Sequence, residues 1–308
     1  MRGYVGNTDF DWYQFLKSQS DLDEVNFWQP SGRHQFQAVP AGAPFFFRLK
    51  KPYYAIAGFG FFARGSILPA WLAWEAFERA NGAPDFATMV TRIAKYRGRA
   101  NQQPTGQEQV GCLMISEPVF FEEHEWILQP ADWSSPIVQG KTYDLTVGEG
   151  QRIYEQCIYQ AALRREKMIE VVVDPPRYGS EQIIRPRLGQ GTFRVAVLDA
   201  YGRACAVSGE HSLPVLQAAH IKPYSAEGQH EVSNGILLRA DIHRLFDMGY
   251  VTVTPEHRFE VSRRLKEDFS NGRTYYPIHG QPIRLPANPK EYPERNLLDW
   301  HNREKFLG

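Results

Sequence analysis

At 308 residues, with 43% hydrophobic and 23% charged side chains, the chain is long enough for two cores and has the composition of a folded protein rather than a disordered one. Lys+Arg and Asp+Glu balance at 35 each, so any nucleic-acid surface must be a local patch rather than a whole-chain field. No apolar run of about 18 residues occurs and acids follow Met1 early, which predicts a cytoplasmic chain with neither a membrane span nor a secretory leader.

Three cysteines, Cys112, Cys157 and Cys205, lie far apart in sequence. They read as buried free thiols, and they argue against both a disulfide framework and a structural zinc, which need paired ligands. Residues 1–150 carry 13 basic and 16 acidic side chains and residues 151–308 the remaining 22 and 19, a difference of only −3 against +3.

The first half reads as strand. VNFWQPSG, APFFFRLK, YYAIAGFGFFARG and GCLMISEPVFF are apolar or alternating runs bounded by Pro and Gly. LPAWLAWEAFERANG and FATMVTRIAKYRG interrupt them with helical periodicity, the first stopping at Asn81-Gly82. This mixture predicts a small barrel with inserted helices. A helix over RIYEQCIYQAALRREK and a strand over MIEVVVD follow. Next comes an arginine-rich, Pro- and Gly-containing arm with Arg185 and Arg187 placed for phosphate contact. FRVAVLDAYG then reads as a helix, CAVSG, VLQAAHIKPY and NGILL as strand pieces, and DIHRLFDMG as a short helix capped by Asp241 and stopped by Gly249.

The chemistry concentrates in QAAHIKPYSAEGQHEVSNGILLRADIHRLFD, which holds His220, Asn234 and His243. His220 ends an apolar strand and opens a Pro- and Gly-containing loop. Asn234 sits at the return of that loop, where its amide can tie backbone to backbone. His243 lies in the first turn of the short helix with Asp247 four residues on, a His–carboxylate half-site for a divalent cation. Lys222 and Arg244 flank the motif within reach of phosphate. The other histidines, His230 and His301 among them, have no such context and read as surface or core.

The order strand-His, loop-Asn, helix-His resembles the HNH (ββα-metal) endonucleases, in their restriction-associated branch. The resemblance implies that His220 is the general base, that Asn234 holds the loop, and that His243 binds a divalent metal, Mg²⁺ or Mn²⁺, with Asp247 as a further ligand. Two departures stand out. Ala219 occupies the position directly before the histidine, where many members carry a metal ligand, which leaves Asp241 as a backup. Cys205 stands alone where a zinc knuckle often buttresses the motif.

From FWQPSG and GFGFF, the first half resembles the PUA superfamily, especially EVE-like domains related to YTH and ASCH modules. That resemblance implies a barrel able to hold a flipped base, with Trp28, Gln29, Ser31, Phe59, Phe61 and Trp126 as its candidate cage. The expected architecture is α+β: an EVE/PUA-like reader over 1–150, a helical linker and basic arm over 151–185, and an HNH nuclease over 186–308. The expected activity is cleavage of double-stranded DNA near 5-methylcytosine or 5-hydroxymethylcytosine. Since one site cuts one strand, the expected assembly is a homodimer. Two alternatives are an HNH enzyme cutting ordinary sequence and a non-catalytic DNA-binding protein, the latter kept open by Ala219.

Overall fold

A computed structural model describes residues 1–98, 105–134, 136–169, 188–223, 226 and 228–308, with backbone alone over 165–169. Its contacts divide the chain into two units, Met1–Arg187 and Leu188–Gly308. Among the described residues no helix is long and apolar enough to cross a membrane. The expected strand over MIEVVVD lies outside the described residues.

The first unit runs β1 (Arg2–Thr8), α1 (Phe10–Lys17), β2 (Glu24–Gln29), β3 (Pro44–Leu49), β4 (Ala55–Pro69), α2 (Ala70–Phe77), α3 (Phe86–Tyr96), β5 (Gln109–Phe120), β6 (Ile127–Leu128), β7 (Gly140–Asp144) and α4 (Gly148–Ile169). The strands form one mixed sheet in the order β2-β5-β4-β3-β1-β7, with β6 on the end of β4. β1 and β3 are parallel and the remaining pairs antiparallel.

The sheet is open, which corrects the expectation of a closed barrel: the outer strands β2 and β7 do not pair. The reason lies in β3, whose six residues are all buried. Side chains alternate across a strand, so both faces of the sheet need apolar cover. Phe45 and Phe47 join one cluster with Trp12, Tyr13 and Leu16 of α1. Phe46 faces the other way and joins Val5, Phe59 and Phe121 with Ile153 and Cys157 of α4. A barrel has one interior, whereas this sheet has two cores, each covered by its own helix. Helix α4, read from sequence as part of a linker, therefore packs as a layer of the first unit.

Short devices hold the helix ends. Asp85 caps α3 by accepting from the Thr88 amide at 2.7 Å. After α2 and the turn Glu78–Asn81, Gly82 adopts a left-handed φ of 74°. A Cβ at Gly82 would also come 2.0 Å from the Trp12 ring, so the glycine is required both by conformation and by space.

The second unit runs α5 (Gln190–Ala200), β8 (Leu216–His220), β9 (Gly235–Arg239), α6 (Ala240–Asp247), β10 (Val251–Val253), β11 (Phe259–Val261), α7 (Arg264–Phe269) and α8 (Arg295–Glu304). CAVSG forms turns rather than a strand. β8 and β9 pair antiparallel, with His220 opposite Gly235. A Cβ at Gly235 would stand 2.4 Å from Val197 and 3.0 Å from Phe193, so this glycine lets α5 lie against the hairpin. Leu216, Ala219, Ile236 and Leu238 of the hairpin are buried, as are Ile242 and Phe246 of α6. Cys205 is likewise buried and free, as are Cys112 and Cys157.

Candidate active site and base pocket

His220 closes β8, half-buried, with its imidazole stacked on Phe193 at 3.9 Å between ring centres and 13° between planes. Its Nε2 lies 3.0 Å from Nδ1 of His230. Burial, followed by the neighbouring His230 and His243, pushes the His220 pKa down to about 4, so the ring is neutral at pH 7. Asn234, buried at the foot of β9, uses its side chain completely. Its Oδ1 accepts from the Lys222 amide at 2.9 Å, and its Nδ2 donates to the carbonyls of Lys222 and Gln229, each at 2.9 Å. The amide thus pins both arms of the loop that begins at His220 and returns into β9.

His243 donates its Nδ1 hydrogen to Gln217 Oε1 at 2.8 Å. Burial lowers its pKa while the Asp247 carboxylate raises it, and burial prevails. The neutral ring therefore turns the Nε2 lone pair toward Asp247 Oδ2, 3.4 Å away. Two lone-pair donors face each other across that gap, an arrangement relieved by a cation between them. Neighbouring donors on an ion bonded at about 2.1 Å stand about 3 Å apart. The pair therefore fits a divalent metal. A ring N–H anchored on an amide oxygen is the usual support of a metal-binding histidine. Among the described residues no three His, Cys, Asp or Glu side chains converge.

Two expectations change here. Asp241 is not the helix cap: Arg239 holds the cap position of α6, and Asp241 lies inside the first turn. Its carboxylate is held instead by Arg239 at 2.6 and 2.8 Å and by the Tyr275 hydroxyl at 2.9 Å. Arg239, ahead of Tyr275, keeps its pKa down at about 2. A carboxylate so occupied is unsuited as the backup ligand. Ala219 is fully buried between hairpin and core, so a longer side chain there would meet packed atoms.

Lys222 places its Nζ 5.7 Å from the Trp300 ring centre, and Arg244 is exposed on α6. Arg185 and Arg187 lie outside the described residues. Sequence reasoning missed Phe193, Gln217 and His230. Gln217 sits three residues before His220 and His230 within the same loop, yet neither carries a pattern apart from that proximity.

The first unit holds a cavity of about 160 Å³ whose walls come from both outer edges of the open sheet. Phe27, Trp28, Gln29, Pro30 and Ser31 line it from β2 and its exit; Asn7 lines it from β1, Asp9 from the start of α1, and Val138 and Gln139 from the approach to β7. Trp12, Lys50 and Tyr96 complete it. Three of the expected cage residues, Trp28, Gln29 and Ser31, are therefore brought together. Trp28 is fixed by its indole N–H, which donates to the Asn81 carbonyl at 3.0 Å, and it stands 6.3 Å from the Tyr96 ring. Lys50 Nζ meets Asp9 Oδ1 at 2.7 Å and lies 5.0 Å from the Tyr96 ring centre. The Tyr96 hydroxyl, bonded to Asp9, is pushed up by burial first and by that bond second.

The other three do not line this cavity. Phe59 is buried in the α4-side core, Phe61 packs edge-on against it at 6.0 Å, and Trp126 donates to the Tyr13 hydroxyl at 3.2 Å while packing on both cores. Core filling claims them, as it does most rings in a two-cored sheet.

Residues 205–254 match a family model described as HNH endonuclease, a span that includes His220, Asn234, His243 and Asp247. The second unit thus contains an HNH endonuclease domain, and the chain is a nuclease of mixed α and β structure. A comparison with curated proteins found no match. Among solved structures, the ASCH protein from Zymomonas mobilis is 12% identical over 49% of this chain and 94% of its own, with a TM-score of 0.31. A structure titled modification dependent TagI restriction endonuclease is 14% identical over 98% of this chain and 81% of its own, with a TM-score of 0.30. Likeness at that level leaves substrate and specificity to be argued from the residues.

Proposed function

We propose that this nuclease is a divalent-metal-dependent DNA endonuclease in which the first unit takes a modified cytosine, 5-methyl or 5-hydroxymethyl, out of the duplex and the second cuts the backbone nearby. The observation that carries the chemistry is the neutral His220 ring, whose Nδ1 makes no hydrogen bond among the described residues, in a motif that also holds the His243–Asp247 donor pair. In hydrolysis, water attacks phosphorus, its proton passes to His220 Nδ1, and the bond from phosphorus to the 3′ oxygen breaks with its electron pair on that oxygen, which takes a proton from solvent. A neutral ring is available for this at pH 7, and an approaching phosphodiester anion raises its basicity from the low resting value. Mg²⁺ or Mn²⁺ held by His243 and Asp247 supplies Lewis-acid stabilisation of the phosphate and the leaving oxygen. Asn234 keeps the loop of His220 in place, and Lys222 and Arg244 are suited to flanking phosphates.

The cavity between β1 and β2 supports the reader role. Trp28 and Tyr96 offer flat faces for a base taken out of the stack. Cytosine presents an amino donor beside ring acceptors, which complements the Asp9 carboxylate and the Lys50 ammonium. One active site cuts one strand, so double-strand cleavage calls for two copies of the chain on DNA.

The test is paired digestion of one plasmid prepared with and without 5-methylcytosine or 5-hydroxymethylcytosine, with Mg²⁺, Mn²⁺ or EDTA. Metal-dependent cutting of modified plasmid alone is expected. Equal cutting of both plasmids would remove the reader role and leave an endonuclease for ordinary sequence. Undiminished cutting in EDTA would remove the metal.

A further inference from the structure

We infer that His230 is a positioning residue of the nuclease site: its Nδ1 accepts the Nε2 hydrogen of His220 and so fixes the ring with Nδ1 bare. The inference rests on the nuclease reading of His220. Two contacts restrain the catalytic ring, and they act on different freedoms. The Phe193 face, 3.9 Å away and tilted by 13°, sets the plane of the imidazole. Stacking leaves the ring free to flip by half a turn about its Cβ–Cγ bond, which returns it to the same plane with carbon and nitrogen positions exchanged. The 3.0 Å contact to His230 removes that freedom, since the flipped ring would set a C–H against Nδ1.

The contact admits two tautomers, of which only one leaves His220 a base. With both rings neutral, one hydrogen lies between the facing nitrogens, so one ring donates and the other accepts. If His220 donates from Nε2, its Nδ1 carries the lone pair that a base needs. If His230 donated instead, His220 would bear its hydrogen on Nδ1 and could not take a proton from water there. Placement of the partner is built into the loop. Asn234 fixes the carbonyl of Gln229, the residue directly before His230, and so anchors the backbone that carries the second ring. His230 also lies 5.7 Å from Phe193, so one buried aromatic seats both rings.

The experiment combines nitrogen-15 spectra of histidine-labelled full chain with steady-state cleavage. His220 signals are assigned by their loss in His220→Ala. In the wild type at pH 7 the expected His220 form has hydrogen on Nε2. In His230→Ala the two tautomers should mix, kcat should fall at least about tenfold, short of the ~10²–10⁴ for losing the base itself, and KM should stay within about twofold. His230→Asn, whose amide oxygen can accept in place of Nδ1, should restore kcat to within about threefold of wild type. A wild-type His220 with its hydrogen on Nδ1, or a His230→Ala variant with unchanged kcat, overturns the inference. If the wild type cuts no DNA, the nuclease reading has failed, and the wild-type tautomer alone decides the pairing. Should His230→Ala fail to fold by thermal melting, His230→Asn and the wild-type spectrum decide.

Discussion

The two candidate sites of this chain are assembled in opposite ways. In the nuclease unit the motif runs over 31 residues, from Gln217 to Asp247, on one hairpin and the helix that follows it. In the first unit the cavity draws on β1, α1, the end of β2, Lys50 after β3, the end of α3 and the approach to β7. A local site can be specified by spacing alone, because strand, loop and helix geometry convert fixed separations into fixed distances. A site built across sheet edges depends on where the sheet stops, and a sheet stops where tertiary packing allows it to.

The largest effect should come from the local site. His220→Ala removes the proposed base, and cleavage is expected to fall about 10²–10⁴-fold in single-turnover assays while DNA affinity stays within about twofold. Retention of more than a tenth of the wild-type rate would show that another group takes the proton. Asn234→Ala attacks the same site through its scaffold. Its side chain satisfies one buried amide hydrogen and two carbonyls, so its loss should cost the second unit about 2–4 kcal/mol in denaturant unfolding, together with most of the activity. An unfolding midpoint within error of wild type would mean that the loop does not depend on this amide.

The dispersed site should respond more gently and more selectively. Trp28→Ala removes one stacking wall, and base–aromatic stacking is worth about 1–3 kcal/mol. Cleavage of modified DNA should therefore drop about 5- to 100-fold, with any cutting of unmodified DNA unchanged. Asp9→Asn should weaken the discrimination as well, since it removes the carboxylate paired with Lys50 and Tyr96. A Trp28→Ala enzyme that loses activity equally on both plasmids would show that the cavity is structural.

This difference in assembly explains what could be read from sequence. His220, Asn234, His243 and Asp247 stand together because their spacing encodes a hairpin and one helical turn. Trp28, Gln29 and Ser31 were legible because they are consecutive or nearly so. Asp9, Lys50 and Tyr96 were not, since nothing in their local sequences announces that their elements meet. Phe59, Phe61 and Trp126 fall outside that cavity for a related reason: both faces of this sheet are buried, so the alternation of side chains does not separate cavity from core. The barrel expectation failed on the same point. A run such as PFFFRL, buried throughout, requires cover on both faces, and α1 and α4 provide it without the sheet closing. His230 and Asp241 show the converse limit within the local site: proximity in sequence was visible, but the pairing of His230 with His220 and of Asp241 with Arg239 is set by side-chain directions.

The smallest expected effect separates the two units by pH. His220 and His301, both in the second unit, are held neutral by burial and pushed down to about 4. His301 is seated by the Thr252 hydroxyl at 2.8 Å, by the Phe246 carbonyl at 3.1 Å and by stacking on the Phe246 ring at 3.8 Å. In the unfolded chain each histidine protonates near pH 6.5. Between about 6.5 and 4 the unfolded state therefore binds protons that the folded state refuses, and stability rises with pH across that window. The contribution is complete above about 6.5 and declines as pH falls toward 4. At pH 5.5, one unit below the unfolded value, the loss is about 1.4 kcal/mol for each histidine. The second unit should thus lose about 2–3 kcal/mol between pH 7 and 5.5 in urea unfolding, and His301→Gln should remove about half of that slope. The same low value for His220 places the acid limb of kcat/KM, which reports the free enzyme, below pH 6.5, because a ring that resists protonation remains a base. A stability profile flat from pH 7 to 5.5, or a kcat/KM limb centred at 6.5, would mean that water reaches these rings in the free protein.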